Sequence, residues 1–415
     1  MKNLLLLTIS LFVCNLSIWS QDCTGKYQDD IASAVDVETV KFGEAVNSQG
    51  QAQELFMDIY TPQGDQSTDR PVMIFAFGGS FIGGSRDAED MVYFATEFAK
   101  KGYVCAAIDY RLATVFELFA EENLVKTVVR AIHDGKAAIR YFRQSAEGDN
   151  VYNIDPEKVF VGGTSAGGIL ALNLAYMNKE EKIPTEWEPW IEELGGLEGG
   201  SGNPGFCSVP NGVFSFAGAV VDTNWIDPTV VPAYSAHSTE DQTVPYGFGA
   251  PLSGAAPIEV YGSGLVHERL ENLGTYNVLD TYYDNAHPPY SSSNADSNAF
   301  RVEEIENHLT EFLYNIMVCN PSNKLPDNVA NCANSVGVEE EDEVLELTVY
   351  PNPSNGSISI NKDALVRVYD LSGKQRLEFR SKKNQNVDIN NLKAGTYILN
   401  IESDGLVSRQ RLIKL

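Results

Sequence analysis

Apolar runs alternate with amphipathic stretches along most of the chain, and this alternation predicts strands and helices in turn. The run Arg70–Phe77 is almost continuously apolar, which is typical of a strand buried on both faces of a parallel sheet. Val37–Val46 and Gln53–Tyr60 flank a short polar turn and predict an antiparallel hairpin at the sheet edge. Further strands are predicted at Val104–Tyr110, Pro156–Val161, Val213–Val221, Ala233–Ala236 and Tyr276–Tyr283, and helices at Asp87–Lys101, Leu124–Ala146, Ile169–Tyr176 and Arg301–Val318. This order indicates an α/β fold with a mostly parallel central sheet flanked by helices.

The two ends of the chain have a different composition from the middle. Lys2 precedes an apolar run at 4–13 and a small residue at Ser20, which predicts a secretory signal peptide at 1–20 that is too short to span a bilayer. An acidic run at 339–343 indicates a solvated linker, and regularly spaced short strands with Gly, Asn and Ser turns follow it. We therefore predict an α/β domain at 21–320, an acidic linker at 321–344 and a small all-β sandwich at 345–415.

Charge and cysteine content narrow the possible partners. With 57 acidic against 30 basic residues the formal net charge is -27, which argues against nucleic-acid binding and docking on anionic membranes. Export permits disulfides, and Cys319 with Cys332 is the favoured pair, while Cys23 with Cys207 is a further possibility. Cys105 lies in an apolar run and is expected to be a buried thiol. No metal-ligand spacing stands out, and we expect no cofactor.

One turn carries the strongest chemical signal. Gly163, Ser165 and Gly167 form a Gly-x-Ser-x-Gly pattern between a predicted strand and a predicted small-residue helix. This strand–turn–helix context is that of the nucleophile elbow of α/β-hydrolases, where the glycines allow close approach and the serine projects above the sheet. Ser165 is therefore the candidate nucleophile.

A serine nucleophile needs a base and an acid that orients it, and in this chain order both follow the serine. His287 lies between Ala286 and Pro288 just after the last predicted strand, so it is the candidate base. Asp241 follows the strand at Ala233–Ala236 and is the candidate acid, with Asp222, after the preceding strand, as the alternative.

The remaining site residues are predicted from their position relative to the strands. The amides of Gly79, Ser80 and Ala166 are the candidate oxyanion donors, since the first two lie in the glycine turn after Phe77 and the third follows the nucleophile. Phe81, Trp225 and His237 are candidate substrate-binding residues. Residues 178–211 are too long for an ordinary connection, and we interpret them as a lid-like insertion or, equally, as a surface excursion.

These motifs resemble the carboxylesterase and feruloyl-esterase branch of the α/β-hydrolases. The resemblance covers roughly residues 37–315 and rests on the loop 77–81, the segment 109–112, the elbow 163–167 and the loop 237–246. It implies that the triad is Ser165, Asp241 and His287 and that the oxyanion donors are Gly79, Ser80 and Ala166. The chain departs from the family pattern at Phe77, where a histidine is usual, and at Ser80, where a third glycine is usual.

The C-terminal segment resembles the sorting domain of proteins exported by the type IX secretion system. The residues that carry this likeness are Tyr350-Pro351-Asn352-Pro353, the turn 370–373, Ala394-Gly395-Thr396-Tyr397 and the terminal 412–415. The resemblance implies an extracellular or cell-surface protein that engages the secretion machinery through this domain.

The sequence thus predicts a secreted serine esterase that acts through an acyl-enzyme. The resemblance and the extracellular address favour acetyl or feruloyl esters of polysaccharides. A lipase or polyesterase, with an exposed apolar rim around Phe81 and Trp187, is the second interpretation. A non-catalytic binding protein on the same fold is the third, although the complete set of Ser165, Asp241 and His287 argues against it.

Overall fold

The computed structural model describes residues 25–227, 231–319, 349–350, 354–370, 374–403 and 406–415. The predicted signal peptide at 1–20 and the predicted linker at 321–344 lie outside the described residues. Contacts divide the chain into two units, Met1–Val336 and Gly337–Leu415.

The strands and helices of the first unit alternate as the apolar pattern predicts. The strands are β1 Val35–Val46, β2 Ala52–Pro62, β3 Arg70–Ala76, β4 Val104–Ile108, β5 Ile154–Thr164, β6 Gly212–Phe216, β7 Ala219–Val220, β8 Ala233–Ser238, β9 Phe248–Gly249, β10 Val260–Gly262 and β11 Asn277–Tyr282. The helices are α1 Glu89–Lys100, α2 Glu121–Glu147, α3 Ala166–Tyr176, α4 Glu188–Glu193, α5 Pro251–Gly254, α6 Ser263–Leu273 and α7 Ala295–Tyr314. Short 3-10 turns at Val115–Phe119, Glu180–Lys182 and Thr223–Trp225 and a π-helical turn at Asn315–Cys319 complete the described part of this unit.

The main sheet has eight strands in the order β1-β2-β4-β3-β5-β6-β8-β11. β2 runs antiparallel to β1 and β4, and the strands from β4 to β11 are mutually parallel. β3 is buried along its whole length, which explains its continuous apolar sequence. This sheet with its connecting helices confirms the predicted fold class. It also brings the carboxyl ends of β3, β5, β8 and β11 to one edge, where ligands bind in such sheets.

The predicted strand at Val213–Val221 is wrong in one respect. β6 ends at Phe216, Ala217 has a φ of 58°, and the chain then enters β7 of a separate three-stranded sheet, β7-β10-β9. A Cβ on Gly218 would lie 2.2 Å from Ser215 Oγ and 2.7 Å from the backbone of Gly168. The close approach to α3 thus forces the turn, and an apolar sequence alone does not reveal it.

Of the cysteines, Cys105 is buried and free, as predicted. Cys207 is disulfide-bonded. Cys23 and Cys332 lie outside the described residues, so the two pairings expected from the sequence stay predictions.

The second unit consists of short antiparallel strands, as its turn pattern predicts. The strands are β12 Val349–Tyr350, β13 Ser357–Ile360, β14 Ala364–Asp370, β15 Gln375–Ser381, β16 Val387–Asp388, β17 Gly395–Ser403 and β18 Leu406–Lys414. They form a three-stranded sheet, β12-β13-β16, and a four-stranded sheet, β15-β14-β17-β18. Both sheets contribute apolar residues to one buried core.

Candidate active site

The turn between β5 and α3 has the backbone strain of a nucleophile elbow. Ser165 has φ 53° and ψ -113°, a conformation that is costly for a residue with a Cβ. Its amide donates to the carbonyl of Phe216 at 2.7 Å, which holds the turn in place. A Cβ on Gly163 or Gly167 would lie 2.0 or 1.9 Å from the carbonyl oxygen of Ala76. Only glycine therefore lets β3, β5 and α3 approach one another at this point.

The structure brings Ser165, His287 and Asp241 together in one hydrogen-bonded chain. The Ser165 Oγ lies 2.7 Å from His287 Nε2, and His287 Nδ1 lies 2.6 Å from Asp241 Oδ2. A carboxylate only accepts, so His287 Nδ1 carries a proton and donates it to Asp241. In the neutral ring Nε2 is then free to accept the Ser165 hydroxyl proton. This is the arrangement in which an imidazole can serve as general base.

The acid of this chain is held ionised by several donors. Asp241 is buried, and its Oδ1 accepts the amides of Thr243 at 2.7 Å and Val244 at 3.1 Å. Burial alone would raise the pKa of Asp241, but hydrogen bonds from His237 and His287, and from the Val244 amide, outweigh it and lower the pKa to about 2. A carboxylate faces His287 at all pH values above that.

The glycine turn after β3 presents amides near the nucleophile. Gly79 and Ser80 have φ values of 128° and 55°, and the carbonyl of Gly79 accepts the amide of Ile82 at 3.0 Å. Neither these two amides nor that of Ala166 has a hydrogen-bond partner among the residues that the structure describes. A Cβ on Gly78 would contact the Ser165 Cβ at 3.4 Å. The turn thus borders the nucleophile and has donors to offer an oxyanion.

Tyr110 contacts Phe77, the residue that precedes this turn. The Phe77 ring stacks on the Tyr110 ring with centroids 4.2 Å apart, and the Tyr110 hydroxyl donates to the Phe77 carbonyl at 2.8 Å. The Ala113 amide also donates to the Phe81 carbonyl at 2.8 Å. These contacts fix the backbone on both sides of the glycine turn.

An apolar pocket that is partly open to solvent lies beside Ser165. Its walls come from the 3-10 turn at Val115–Phe119, from α2 and α3, and from the segment 243–260. Phe81 lines it, as predicted from the sequence. The contribution of 243–260 was not expected, because that segment has neither a clear period nor a motif.

Two predicted substrate-binding residues do not line this cavity. His237 is fully buried in β8, with Nδ1 2.9 Å from Ser263 Oγ and Nε2 3.2 Å from Asp241 Oδ2. Trp225 lies behind the cavity wall, where its indole packs on Trp187 at 6.3 Å and donates to the carbonyl of Lys182 at 2.9 Å. Both side chains already have partners that direct them away from a substrate.

The alternative acid and the predicted lid also lie elsewhere. Asp222 accepts the amide of Asn224 at 2.8 Å and caps a 3-10 turn. Residues 178–211 run along α2 and β1 and contribute none of the residues that line the cavity. Glu198 of this segment is paired with Lys136 at 2.7 Å and Arg140 at 3.3 Å. The segment therefore lies beside α2 and not over Ser165, which corrects the lid interpretation.

A polar cluster that sequence reasoning missed ties the elbow to the histidine loop. Thr164 Oγ1 lies 2.6 Å from the Tyr290 hydroxyl and 2.8 Å from Asp90 Oδ2, and Tyr290 donates to the same Asp90 oxygen at 2.8 Å. Thr164 precedes Ser165, and Tyr290 is three residues after His287. That proximity in sequence was the only signal, because Asp90 belongs to α1 and carries no motif.

Within the described ranges, no group of three or more His, Cys, Asp or Glu side chains is arranged to hold a metal ion. In the same ranges, no helix has both the length and the apolar character needed to cross a membrane.

Two family models match the chain. The BD-FAE model matches residues 57–195, and the model of the Secretion system C-terminal sorting domain matches residues 348–415. The first bears out, for the segment it covers, the predicted enzyme class of carboxylic ester hydrolase. The second confirms the predicted sorting domain, which marks proteins secreted by the type IX system to the extracellular space or cell surface.

The chain is also similar to individual proteins. It resembles a thermophilic esterase of Thermogutta terrifontis with 21% identity and a TM-score of 0.47, over 69% of this chain and 95% of that one. Esterase 2 of the same organism phosphorylated by paraoxon gives 22% identity and a TM-score of 0.48, over 69% and 96%. A non-reducing polyketide synthase of Stereocaulon alpinum is 29% identical over 125 residues, 30% of this chain and 5% of that protein. The chain thus spans about a twentieth of that curated relative.

Proposed function

We propose that the protein is a secreted serine carboxylic ester hydrolase. The observation that carries this proposal is the hydrogen-bonded chain from Asp241 through His287 to Ser165, at a strained turn beside an apolar cavity. A buried carboxylate, a tautomer fixed by it and a serine hydroxyl within 2.7 Å of the free ring nitrogen are the parts that acyl transfer needs.

The proposed reaction has two halves. Ser165 Oγ attacks the ester carbonyl carbon while its proton passes to His287 Nε2, and the carbonyl oxygen becomes an oxyanion that accepts from the amides of Gly79, Ser80 and Ala166. The alcohol leaves with the proton from His287, and the acyl group stays on Ser165. A water molecule, deprotonated by His287, then attacks the acyl carbon, and the acid is released as His287 returns the proton to Ser165 Oγ.

The natural substrates of this proposal are short-chain or aromatic esters of extracellular polysaccharides. The sorting domain supports an extracellular substrate, and the resemblance to feruloyl esterases supports a carbohydrate-linked one. Cleavage of acetyl or feruloyl groups would free the polymer for other enzymes.

The test uses the secreted chain, its Ser165→Ala variant and a matched control, Ser145→Ala, on the outer part of α2. We expect a fluorophosphonate probe to add one label to the first and third proteins and none to Ser165→Ala. Hydrolysis of p-nitrophenyl acetate should fall by about 10³-fold or more in Ser165→Ala alone. Labelling or turnover that survives in Ser165→Ala would overturn the proposal, and no label on any variant would favour a non-catalytic protein.

Water-insoluble esters are a second candidate substrate class, favoured by aromatic side chains on the surface next to the cavity. On the 3-10 turn Val115–Phe119, Leu118 lines the cavity whereas Phe116 and Phe119 are 83% and 59% exposed. The rim expected at Phe81 and Trp187 is buried, so these two phenylalanines take its place. Exposed apolar groups at a site mouth mark interaction surfaces.

Replacing both exposed phenylalanines by serine tests this second candidate. Activity on an emulsified triacylglycerol should fall several-fold more than activity on dissolved p-nitrophenyl acetate. An equal change with both substrates would show that the two side chains do not dock on an insoluble ester.

A further inference from the structure

The lining of the cavity beside Ser165 is chemically uniform. No charged side chain lines it, and Phe81 is the one aromatic residue among the lining residues that the structure describes. Hydroxyl groups are found at three lining positions, Ser80, Ser165 and Thr243. The other lining residues are aliphatic or proline, among them Leu118, Leu124, Val128, Ile169, Val221 and Ile258.

The three residues that carry these hydroxyls lie in the nucleophile elbow, the glycine turn and the acid loop. Ser165 is the candidate nucleophile, Ser80 lies in the glycine turn beside it, and the Thr243 amide donates to the Asp241 carboxylate at 2.7 Å. The far walls therefore offer a ligand only hydrocarbon. A polar group carried far from the ester bond would lose its water and find no partner there.

The wall formed by Leu252 is fixed to the acid loop. Leu252 and Ser253 have φ values of 57° and 55°, and their amides donate to the carbonyls of Thr243 at 2.8 Å and Gln242 at 2.7 Å. Two successive left-handed residues without glycine are costly and persist where the surroundings hold them. The cavity is thus bounded on this side by a tethered segment, while α2 and α3 bound it from the core.

We infer that this cavity binds the acyl group and selects unbranched aliphatic acyl chains longer than acetyl over hydroxycinnamoyl groups. The inference rests on the ester hydrolysis through Ser165 that is proposed above, and it narrows the acyl group of the substrate from acetyl or feruloyl to longer aliphatic chains. The acyl group is the part that stays bonded to Ser165 while the alcohol departs, so an apolar pocket beside Ser165 suits it better than it suits a polymeric alcohol. A feruloyl group would carry its phenol hydroxyl into the hydrocarbon end.

The first measurement is kcat/KM for p-nitrophenyl esters from acetate to dodecanoate, with methyl ferulate and methyl hexanoate as a matched pair. Each methylene buried in the cavity should raise kcat/KM by about threefold to fourfold until the cavity is full. Methyl ferulate should be cleaved at least about tenfold more slowly than methyl hexanoate. A maximum at acetate, or ferulate as the better methyl ester, would overturn the inference.

Variants that change the volume of the cavity locate the effect. Val128→Phe should lower the octanoate-to-acetate ratio of kcat/KM by at least about tenfold, because the added ring fills space that the chain needs. Leu118→Ala should move the maximum to longer chains. Val151→Phe, at an exposed position outside the cavity, should leave the ratio unchanged. If Val128→Phe does not fold, Leu118→Ala still decides: an unchanged maximum in that variant refutes the acyl assignment.

Failure of this inference can be told apart from failure of the proposed function. Turnover that needs Ser165 but shows no preference among chain lengths would refute this inference and leave the proposed ester hydrolysis intact. Turnover that persists in Ser165→Ala removes both.

Discussion

One carboxylate serves two histidines in this protein. Asp241 Oδ2 accepts from His287 Nδ1 at 2.6 Å and lies 3.2 Å from His237 Nε2, which is also 3.0 Å from the carbonyl of Val244. Both neighbours of His237 Nε2 can only accept, so that nitrogen carries a hydrogen. The sequence suggested that His237 contacts a substrate. The structure instead places it on Asp241, the carboxylate that orients His287.

Replacing His237 tests whether it is a positioning residue. In His237→Phe we expect kcat to fall by about tenfold with KM nearly unchanged, since one donor to Asp241 is lost and a neutral hydrogen bond contributes about 1 kcal/mol. The pKa of Asp241 should also rise from about 2, because the hydrogen bond from His237 is one of the causes that lower it. Activity on the acid side of the pH–rate profile should then be lost at a higher pH. Steady-state kinetics between pH 4 and about pH 9 measure both effects.

Two further histidine variants serve as controls. His237→Gln keeps an N–H donor and should restore most of kcat and the profile. His308→Phe removes a histidine that pairs with a different carboxylate, Asp280, at 2.9 Å. It should change neither kcat nor the pH–rate profile. If His237→Phe lowers only thermal stability and leaves the profile in place, the role of His237 is structural.

At the residue scale, the sequence could predict which side chains follow strands but not where strand side chains point. Chain order and strand ends predicted Ser165, Asp241 and His287, and the structure places them within hydrogen-bonding distance. His237 lies inside β8, where successive residues face opposite sides, and a shift of one residue decides between the cavity and the core. Trp225 was ambiguous for a different reason, since it lies in a 3-10 turn and its position depends on the packing of Trp187.

At the scale of elements, the elbow depends on the contact of α3 with β3. Gly167→Ala would place a Cβ 1.9 Å from the Ala76 carbonyl oxygen, so the helix must move away. We expect the free energy of unfolding to drop by about 1–3 kcal/mol. We also expect kcat to fall by about a hundredfold, because the nucleophile shifts from its position.

Gly200→Ala is the matched control for this substitution. A Cβ there has nothing within 4 Å, so both quantities should stay close to those of the parent protein. Urea unfolding and p-nitrophenyl ester kinetics on the same samples make the comparison. Full activity in Gly167→Ala would mean that the close approach is not needed for catalysis.

The segment 178–211 is expected to stabilise α2, because its Glu198 pairs with buried cations of that helix. The side chains of Lys136 and Arg140 are only 3% and 4% exposed, and Glu198 is their carboxylate partner. Glu198→Gln should lower the free energy of unfolding by about 1–3 kcal/mol, since it leaves buried charges with weaker partners. KM for soluble esters should not change, because the segment does not line the cavity.

Substitution of the exposed Glu192 is the control that removes one negative charge without removing a partner of the buried cations. Glu192→Gln removes a carboxylate from the same segment and should leave the unfolding midpoint in place. A raised KM in Glu198→Gln, with Glu192→Gln unaffected, would revive the interpretation of this segment as a lid.

The sequence could predict that 178–211 is an insertion but not where it docks. Its length and glycine content set it apart from an ordinary connection. Its position depends on Lys136 and Arg140, which in the sequence look like the solvated charges of an amphipathic helix. The same holds for 243–260, whose contribution to the cavity depends on backbone hydrogen bonds to the acid loop.

At the scale of the whole molecule, the chain joins two units with separate tasks. The first unit has its own large buried core, which includes the strands that carry the candidate triad. The second has a smaller core built by its two sheets. The composition change after Cys332 already predicted this division, since a charged stretch without apolar periodicity cannot join a core.

Because the described residues of each unit form a buried core of their own, catalysis and export should be separable. A chain that ends at Val336 should keep its kcat/KM for p-nitrophenyl butanoate and melt within about 2 °C of the first transition of the full chain. In the organism that makes it, the same truncated chain should remain inside the cell, because the sorting domain at 348–415 is missing. Immunoblots of cell and medium fractions, with Ser165→Ala in the full chain as the control for export without activity, separate the two effects. A truncated chain that is exported would place the sorting signal elsewhere, and one that folds but loses activity would mean that the second unit contributes to the site.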